Sequence, residues 1–237
     1  MHPTVVLVHG AFAESASWNG VVGRLLAAGH PAVAAANPLR GVAGDAAAIS
    51  DLVRTIEGPV VLVGHSYGGA VISNVAPDAG DISALVYVGA FAPAAGESCI
   101  ELSLRFPGST LADALQPVPH GDGTADLLIA RDRFHAQFCA DVPEAEAALM
   151  AAAQRPVAQA ALEEQAGPRP LWEHVPSYFV IGTEDRNIPA ALQRSLAERC
   201  NARRTVELAG ASHAVAVSCP EETAGLILEA AQLGAAV

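Results

Sequence analysis

VVLVGHSYGGAV, residues 60–71, carries four apolar residues into Gly-His-Ser-Tyr-Gly-Gly and returns at once to apolar character. A β-branched run closed by glycine reads as a strand buried on both faces. Ala70, Val71, Ile72 and Val75 beyond the glycines read as a buried helix. Ser66 therefore stands on a sharp strand-to-helix corner, where the backbone is forced into a sparsely allowed conformation and the helix crowds the strand. Gly64 and Gly68 remove the side chains that would collide there. This is the G-x-S-x-G nucleophile elbow with Ser66 at its tip.

On both sides of the elbow, six segments read as strands: 4–8 (TVVLV), 31–35 (PAVAA), 59–63 (PVVLV), 84–89 (ALVYVG), 177–182 (SYFVIG) and 204–208 (RTVEL). Most are continuous apolar runs, as parallel strands between two helical layers require. Helical patterns lie between them. Trp18, Val21, Val22, Leu25 and Leu26 recur at helical spacing and stop at Gly29; Ile49, Leu52, Val53 and Ile56 stop at Gly58. The alternation predicts an α/β fold, a mostly parallel sheet of about six strands flanked by helices.

Residues 93–174 break the alternation. They hold no good strand, but contain a capping-box-like Asp141-x-x-Glu144 ahead of AEAALMAAAQ, and a second helical pattern, VAQAALEEQ. The expectation is one domain over 1–237, with a core of 1–92 and 175–237 and a helical insertion at 93–174. The lead-in PGSTLADALQPVPHGDG is expected to be mobile.

Composition narrows the function classes. A formal charge of −12 with no basic stripe argues against nucleic acid. No apolar run reaches the ~18 residues of a membrane span, and the first residues enter a strand directly with no basic n-region; we read a cytoplasmic protein without membrane contact, a monomer or homodimer. All 13 basic residues are arginine, which removes lysine Schiff-base chemistry and the lysine P-loop. Cys99, Cys139, Cys200 and Cys219 have no metal-ligand spacing and read as buried free thiols.

A serine hydroxyl becomes a nucleophile when a base takes its proton, and that base needs a third group to fix its tautomer. His213, in the small-residue loop LAGASHAV after the last strand, sits at the carboxyl edge where the ligand loops of a parallel sheet gather. His2, His30, His120 and His174 read as surface residues, His65 as packing beside the elbow, and His135 as a satisfied histidine or a pocket wall. The carboxylate candidate lies in VIGTEDRNIP after the fifth strand. Asp185 is favoured over Glu184 because aspartate suits a tight turn; Glu97, after the fourth strand, is a rival.

The order Ser66, Asp185, His213 is that of the α/β-hydrolase family, and the chain resembles that family over nearly its full length through VLVHGAF (6–12), GHSYGG (64–69), GTEDRNIP (182–189) and GASHAV (210–215). Within it, the chain looks most like the small plant methylesterase and hydroxynitrile-lyase branch. The lyases use a lysine shortly after the catalytic histidine; none exists here, so the esterase reading survives. The resemblance implies a catalytic triad of those three residues and an oxyanion hole formed by the backbone N–H groups of Ala11 and Tyr67. It further implies that the insertion caps the pocket; because no Cys/His/carboxylate cluster has metal-ligand spacing, neither a metal nor a cofactor is expected. The activity expected is cleavage of a small, largely apolar carboxylic ester through an acyl-enzyme. The alternatives are a triad-bearing ligand receptor, or a lactone or carbon-carbon bond hydrolase with the same triad.

Overall fold

The structure is a computed structural model describing residues 2–234. Six parallel strands, β1 (Thr4–Val8), β2 (Ala32–Ala35), β3 (Pro59–His65), β4 (Asp81–Val88), β8 (Ser177–Gly182) and β9 (Arg204–Leu208), form one sheet in the order β2-β1-β3-β4-β8-β9. Alternate residues of each strand serve opposite faces. Val6, Val8, Val60 and Leu62 enter one apolar cluster, while Val5, Leu7, Val61 and Val63 enter the other. That double burial is why the strands read as unbroken apolar runs.

Helices α1 (Asn19–Ala27) and α11 (Pro220–Gly234) pack together over one face. Helices α2 (Val42–Arg54), α3 (Tyr67–Ser73) and α9 (Ala190–Arg199) lie on the other. A four-residue helix, α10 (Val215–Ser218), precedes α11. The strand order reverses about β1 and β3, so a crevice opens beyond their carboxyl ends. Residue 66 follows β3 and residue 11 follows β1; the topology brings both to that crevice. A Cβ on Gly64 would stand 2.5 Å from Gly68 O, and one on Gly68 would run into Val8 O. The elbow closes only because both are glycine.

Between β4 and β8 the chain forms α4 (Cys99–Ser103), α5 (Leu111–Ala114), β5 (Leu115–Pro119), β6 (Ala125–Ile129), α6 (Arg131–Phe138), α7 (Glu144–Ala153), β7 (Val157–Ala158) and α8 (Gln159–Glu163). The expectation that this interval lacks strands is corrected. β5, β6 and β7 make a three-stranded antiparallel sheet, and the lead-in segment 107–123 supplies α5, β5 and the turn into β6. The signal was hidden because Pro117 and Pro119 depress strand propensity; they are tolerated because β5 is an exposed edge strand. His120 and Thr124 close the turn, His120 N donating to Thr124 O at 2.8 Å.

The Asp141-x-x-Glu144 capping box is also corrected: α7 starts behind Pro143 with no side-chain cap. The capping box that does form joins Ser98 and Glu101 at α4. His30, read as a surface residue, is buried. Gly29 (φ +82) ends α1 in a Schellman turn, with His30 N donating to Leu25 O, and the ring's Nδ1 lies 3.3 Å from Pro3 O. Among the described residues all four cysteines are free, Cys219 alone being half-buried, and no helix is long and apolar enough to cross a membrane.

Candidate active site

Ser66 has φ +54° and ψ −122°, a region that a non-glycine residue occupies only when its surroundings force it. The forcing is visible. Ser66 N donates to Val88 O, and its carbonyl accepts from Gly69 N and Phe91 N at 3.0 and 3.1 Å. Tyr67 opens α3, so its N–H has no acceptor within that helix. Its phenol donates to the buried Asp45 at 2.8 Å, and burial raises both the phenol and that carboxyl above their ordinary pKa values.

The loop after β1 meets the elbow closely: a Cβ on Gly10 would lie 2.6 Å from Ser66 Cβ. Behind it His9 is fully buried, and burial pulls it down to about 4, so the ring is neutral at physiological pH. His9 Nδ1–H donates to Gly10 O, and Asn37 N–H donates to His9 Nε2. These bonds fix the loop that carries Ala11, whose N–H meets no acceptor among the described residues.

Asp185 and His213 are brought together. Nδ1 of His213 lies 2.8 Å from Oδ2 of Asp185, with both side chains out of solvent. The remaining lone pairs of the carboxylate are filled: Oδ1 accepts from Asn187 N and Ile188 N at 2.8 and 2.9 Å, and Oδ2 accepts from Gln193 Nε2 at 2.9 Å. With His213 Nδ1 these make four donors, which satisfy a carboxyl group taken out of water. With Nδ1–H committed to Asp185, Nε2 of His213 is buried and has no hydrogen-bond partner among the described residues, Ser66 Oγ included.

The other candidates fall elsewhere. Glu184 is exposed. Glu97 binds Arg199 at 2.8 Å and Arg105 at 2.7 Å, joining the start of the insertion to α9. His135 is half-buried and donates to Val142 O. His65 does more than pack: Nε2–H donates to His213 O at 3.0 Å, its ring lies 4.7 Å from the His213 ring, and burial holds its pKa well below the ordinary value. Gln193 escaped sequence reasoning altogether. Its only signal is a polar residue on the buried side of the α9 pattern.

Ser66, Tyr67, Ala11 and Phe12 line one wall of a cavity of about 920 Å³. Most of the opposite wall comes from the insertion and is apolar, with Ile100, Leu104, Phe106, Leu127 and Leu162 prominent. Its one basic residue, Arg105, is paired with Glu97, and its one acidic residue, Glu163, accepts from Gln159. Among the described residues no three His, Cys, Asp or Glu side chains are grouped to hold a metal.

A family model described as the alpha/beta hydrolase family matches residues 5–226. A pyrethroid hydrolase of Sphingobium wenxiniae is 28% identical over 245 residues, covering 95% of this chain and 86% of that protein. Among solved structures, a pyrethroid hydrolase from Sphingobium faniae superposes with a TM-score of 0.77 at 23% identity, covering 99% of both chains. Polyneuridine aldehyde esterase superposes with a TM-score of 0.81 at 19% identity, covering 97% of this chain and 99% of the other.

Proposed function

The chain belongs to the alpha/beta hydrolase family, and from that premise we propose that it is a serine hydrolase cleaving carboxylic esters through an acyl-enzyme on Ser66. The observation that carries this reading is the buried Asp185–His213 pair, whose free Nε2 belongs to the same loop cluster as a strained serine. Support for hydrolysis comes from the relative named as a pyrethroid hydrolase, and for the ester class from one of Nocardioides named as a carbendazim hydrolyzing esterase, 33% identical over 48% of this chain.

In this reading His213 Nε2 takes the Ser66 proton as Oγ attacks the ester carbonyl. Asp185 holds the tautomer and stabilises the imidazolium. The developing oxyanion meets the N–H groups of Ala11 and Tyr67, two donors already fixed and therefore needing no reorganisation. His213 then passes its proton to the departing alcohol, and later activates the water that releases the acid. Residues 93–174 act as the cap of a single domain. A cavity of about 920 Å³ suits an ester with bulky, uncharged groups rather than a small one.

The test is a panel of 4-nitrophenyl esters of increasing size, together with labelling by an organophosphonate. We expect sustained turnover and one phosphonyl adduct on Ser66, both abolished in Ser66→Ala. Turnover that survives Ser66→Ala, or an adduct on another residue, would overturn the assignment.

A further inference from the structure

We infer that Gln137 and Phe138, at the end of α6 in the insertion, are positioning residues for the Asp185–His213 pair, so that the insertion belongs to the catalytic apparatus as well as to the pocket wall. This rests on the proposed roles of Ser66, Asp185 and His213.

Two adjacent side chains reach the two members of that pair by different means. Gln137 is buried in α6, and its Nε2 donates to Arg186 O at 2.9 Å and to Asn187 Oδ1 at 2.8 Å. Arg186 and Asn187 lie in the turn that grips Asp185: Asn187 N and Ile188 N donate to Asp185 Oδ1 at 2.8 and 2.9 Å. One residue of that turn is therefore held by the insertion through its side chain while it holds the carboxylate through its backbone. Two further bonds reinforce the joint. Thr110 Oγ1 donates to Gln137 Oε1 at 2.8 Å, and Arg186 Nη1 donates to Ala136 O at 3.0 Å.

Phe138 acts on the base. Its ring stands edge-on to His213, centroids 5.0 Å apart at 82°, and nearly perpendicular to His65 at 6.0 Å. Phe134 stacks behind it at 5.0 Å, and Phe138 is 1% exposed, so the wall is rigid and dry. His213 thus has Phe138 against its ring, His65 against its backbone carbonyl and Asp185 on Nδ1. Neither Gln137 nor Phe138 lines the 920 Å³ cavity. Neither side chain meets the substrate directly: Gln137 acts through Arg186 and Asn187, of which Asn187 lines the cavity, and Phe138 acts through His213.

The experiment compares wild type with Gln137→Met, which keeps the volume and removes three hydrogen bonds, and with Phe138→Leu, which removes the aromatic edge. Steady-state kinetics on a small and a bulky 4-nitrophenyl ester are measured beside the rate at which a small 4-nitrophenyl methylphosphonate labels Ser66. A displacement of about 1 Å in a catalytic group costs on the order of 100-fold. We expect kcat to fall roughly 10- to 100-fold for both esters, KM to stay within about twofold, and labelling to slow by the same factor. A pocket or purely structural role predicts another pattern: wild-type labelling, with changes confined to KM or to the melting temperature. That result in either soluble variant overturns the inference for that residue. If Gln137→Met does not fold, Thr110→Val, which removes only the outer bond, replaces it; an unchanged kcat in that variant counts against Gln137. Failure of the wild type to label at Ser66 would instead overturn the nucleophile assignment itself.

Discussion

Replacing Asp185 with asparagine keeps the shape of the site and inverts one hydrogen bond. The two backbone donors on Oδ1, from Asn187 and Ile188, select the amide oxygen for that position. The amide nitrogen must then stand where Oδ2 stood, facing His213 Nδ1 at 2.8 Å and Gln193 Nε2 at 2.9 Å. Three donors cannot share that space. The least costly escape is for His213 to move its proton to Nε2 and accept at Nδ1, which blocks the nitrogen that has to receive the Ser66 proton. The variant also lacks the carboxylate that stabilises the imidazolium. Together these effects correspond to about 10⁴ in kcat, or about 5 kcal/mol of transition-state stabilisation. KM should change little, since Asp185 does not line the cavity. Steady-state assay of Asp185→Asn against a 4-nitrophenyl ester, with a thermal melt to show that it is folded, tests this. A folded variant with kcat within tenfold of wild type would refute the assignment of Asp185.

Glu97→Gln should leave kcat within a few-fold while lowering stability by about 1–3 kcal/mol, because Arg199 and Arg105 lose a half-buried carboxylate. Burial alone would raise that carboxyl, but Ala94 N–H and the two guanidiniums hold it below its ordinary value; a 10⁴ loss of kcat would restore Glu97 as the triad acid. Stability should fall as pH drops from 6.5 towards 4. His9, at about 4, and His65, well below 6.5, stay neutral in the fold but gain protons when unfolded, so the unfolded state binds more protons across that window. His9 alone contributes on the order of 3 kcal/mol, and a flat melting-temperature profile from pH 7 to pH 4.5 would contradict it. Leu162→Trp, on the cavity wall, should cut kcat/KM for a bulky ester about 10-fold or more while sparing an acetate ester; equal effects on both would place the acyl or alcohol site elsewhere.

The sheet was legible because each strand buries both faces, and the residues that do so, such as Val60 to Val63, make runs that no other element needs. The candidate site was legible where its proposed chemistry leaves a local mark. Ser66 sits between obligatory glycines, Asp185 on a turn closed by Pro189, and His213 in a loop of small residues, each within a few residues of a strand end. What escaped has no such mark. The β5–β6 hairpin is an edge structure built through prolines. His30 owes its burial to the turn at Gly29, and His65 owes its bond to His213 to a loop 148 residues away.

Gln137 and Phe138 show the same divide at the level of function. Read along the chain they are two residues of a weakly amphipathic helix, RDRFHAQF, in the interval with the poorest sequence signal. Their meaning arises only when the turn after β8 and the loop after β9 are brought against α6, a juxtaposition of segments about 50 and 75 residues distant. Along the chain, the chemistry falls to the sheet loops and selectivity to the insertion, and from that division excision of residues 93–174 should alter selectivity and spare the catalytic groups. The contacts oppose the division. Removing α6 would take Gln137 from the turn that grips Asp185 and Phe138 from the face of His213. It would also open the dry, hydrogen-bonded Asp185–His213 pair to water, where its geometry is no longer enforced. The excised chain should therefore lose turnover on every ester, small or bulky, rather than change its preference among them.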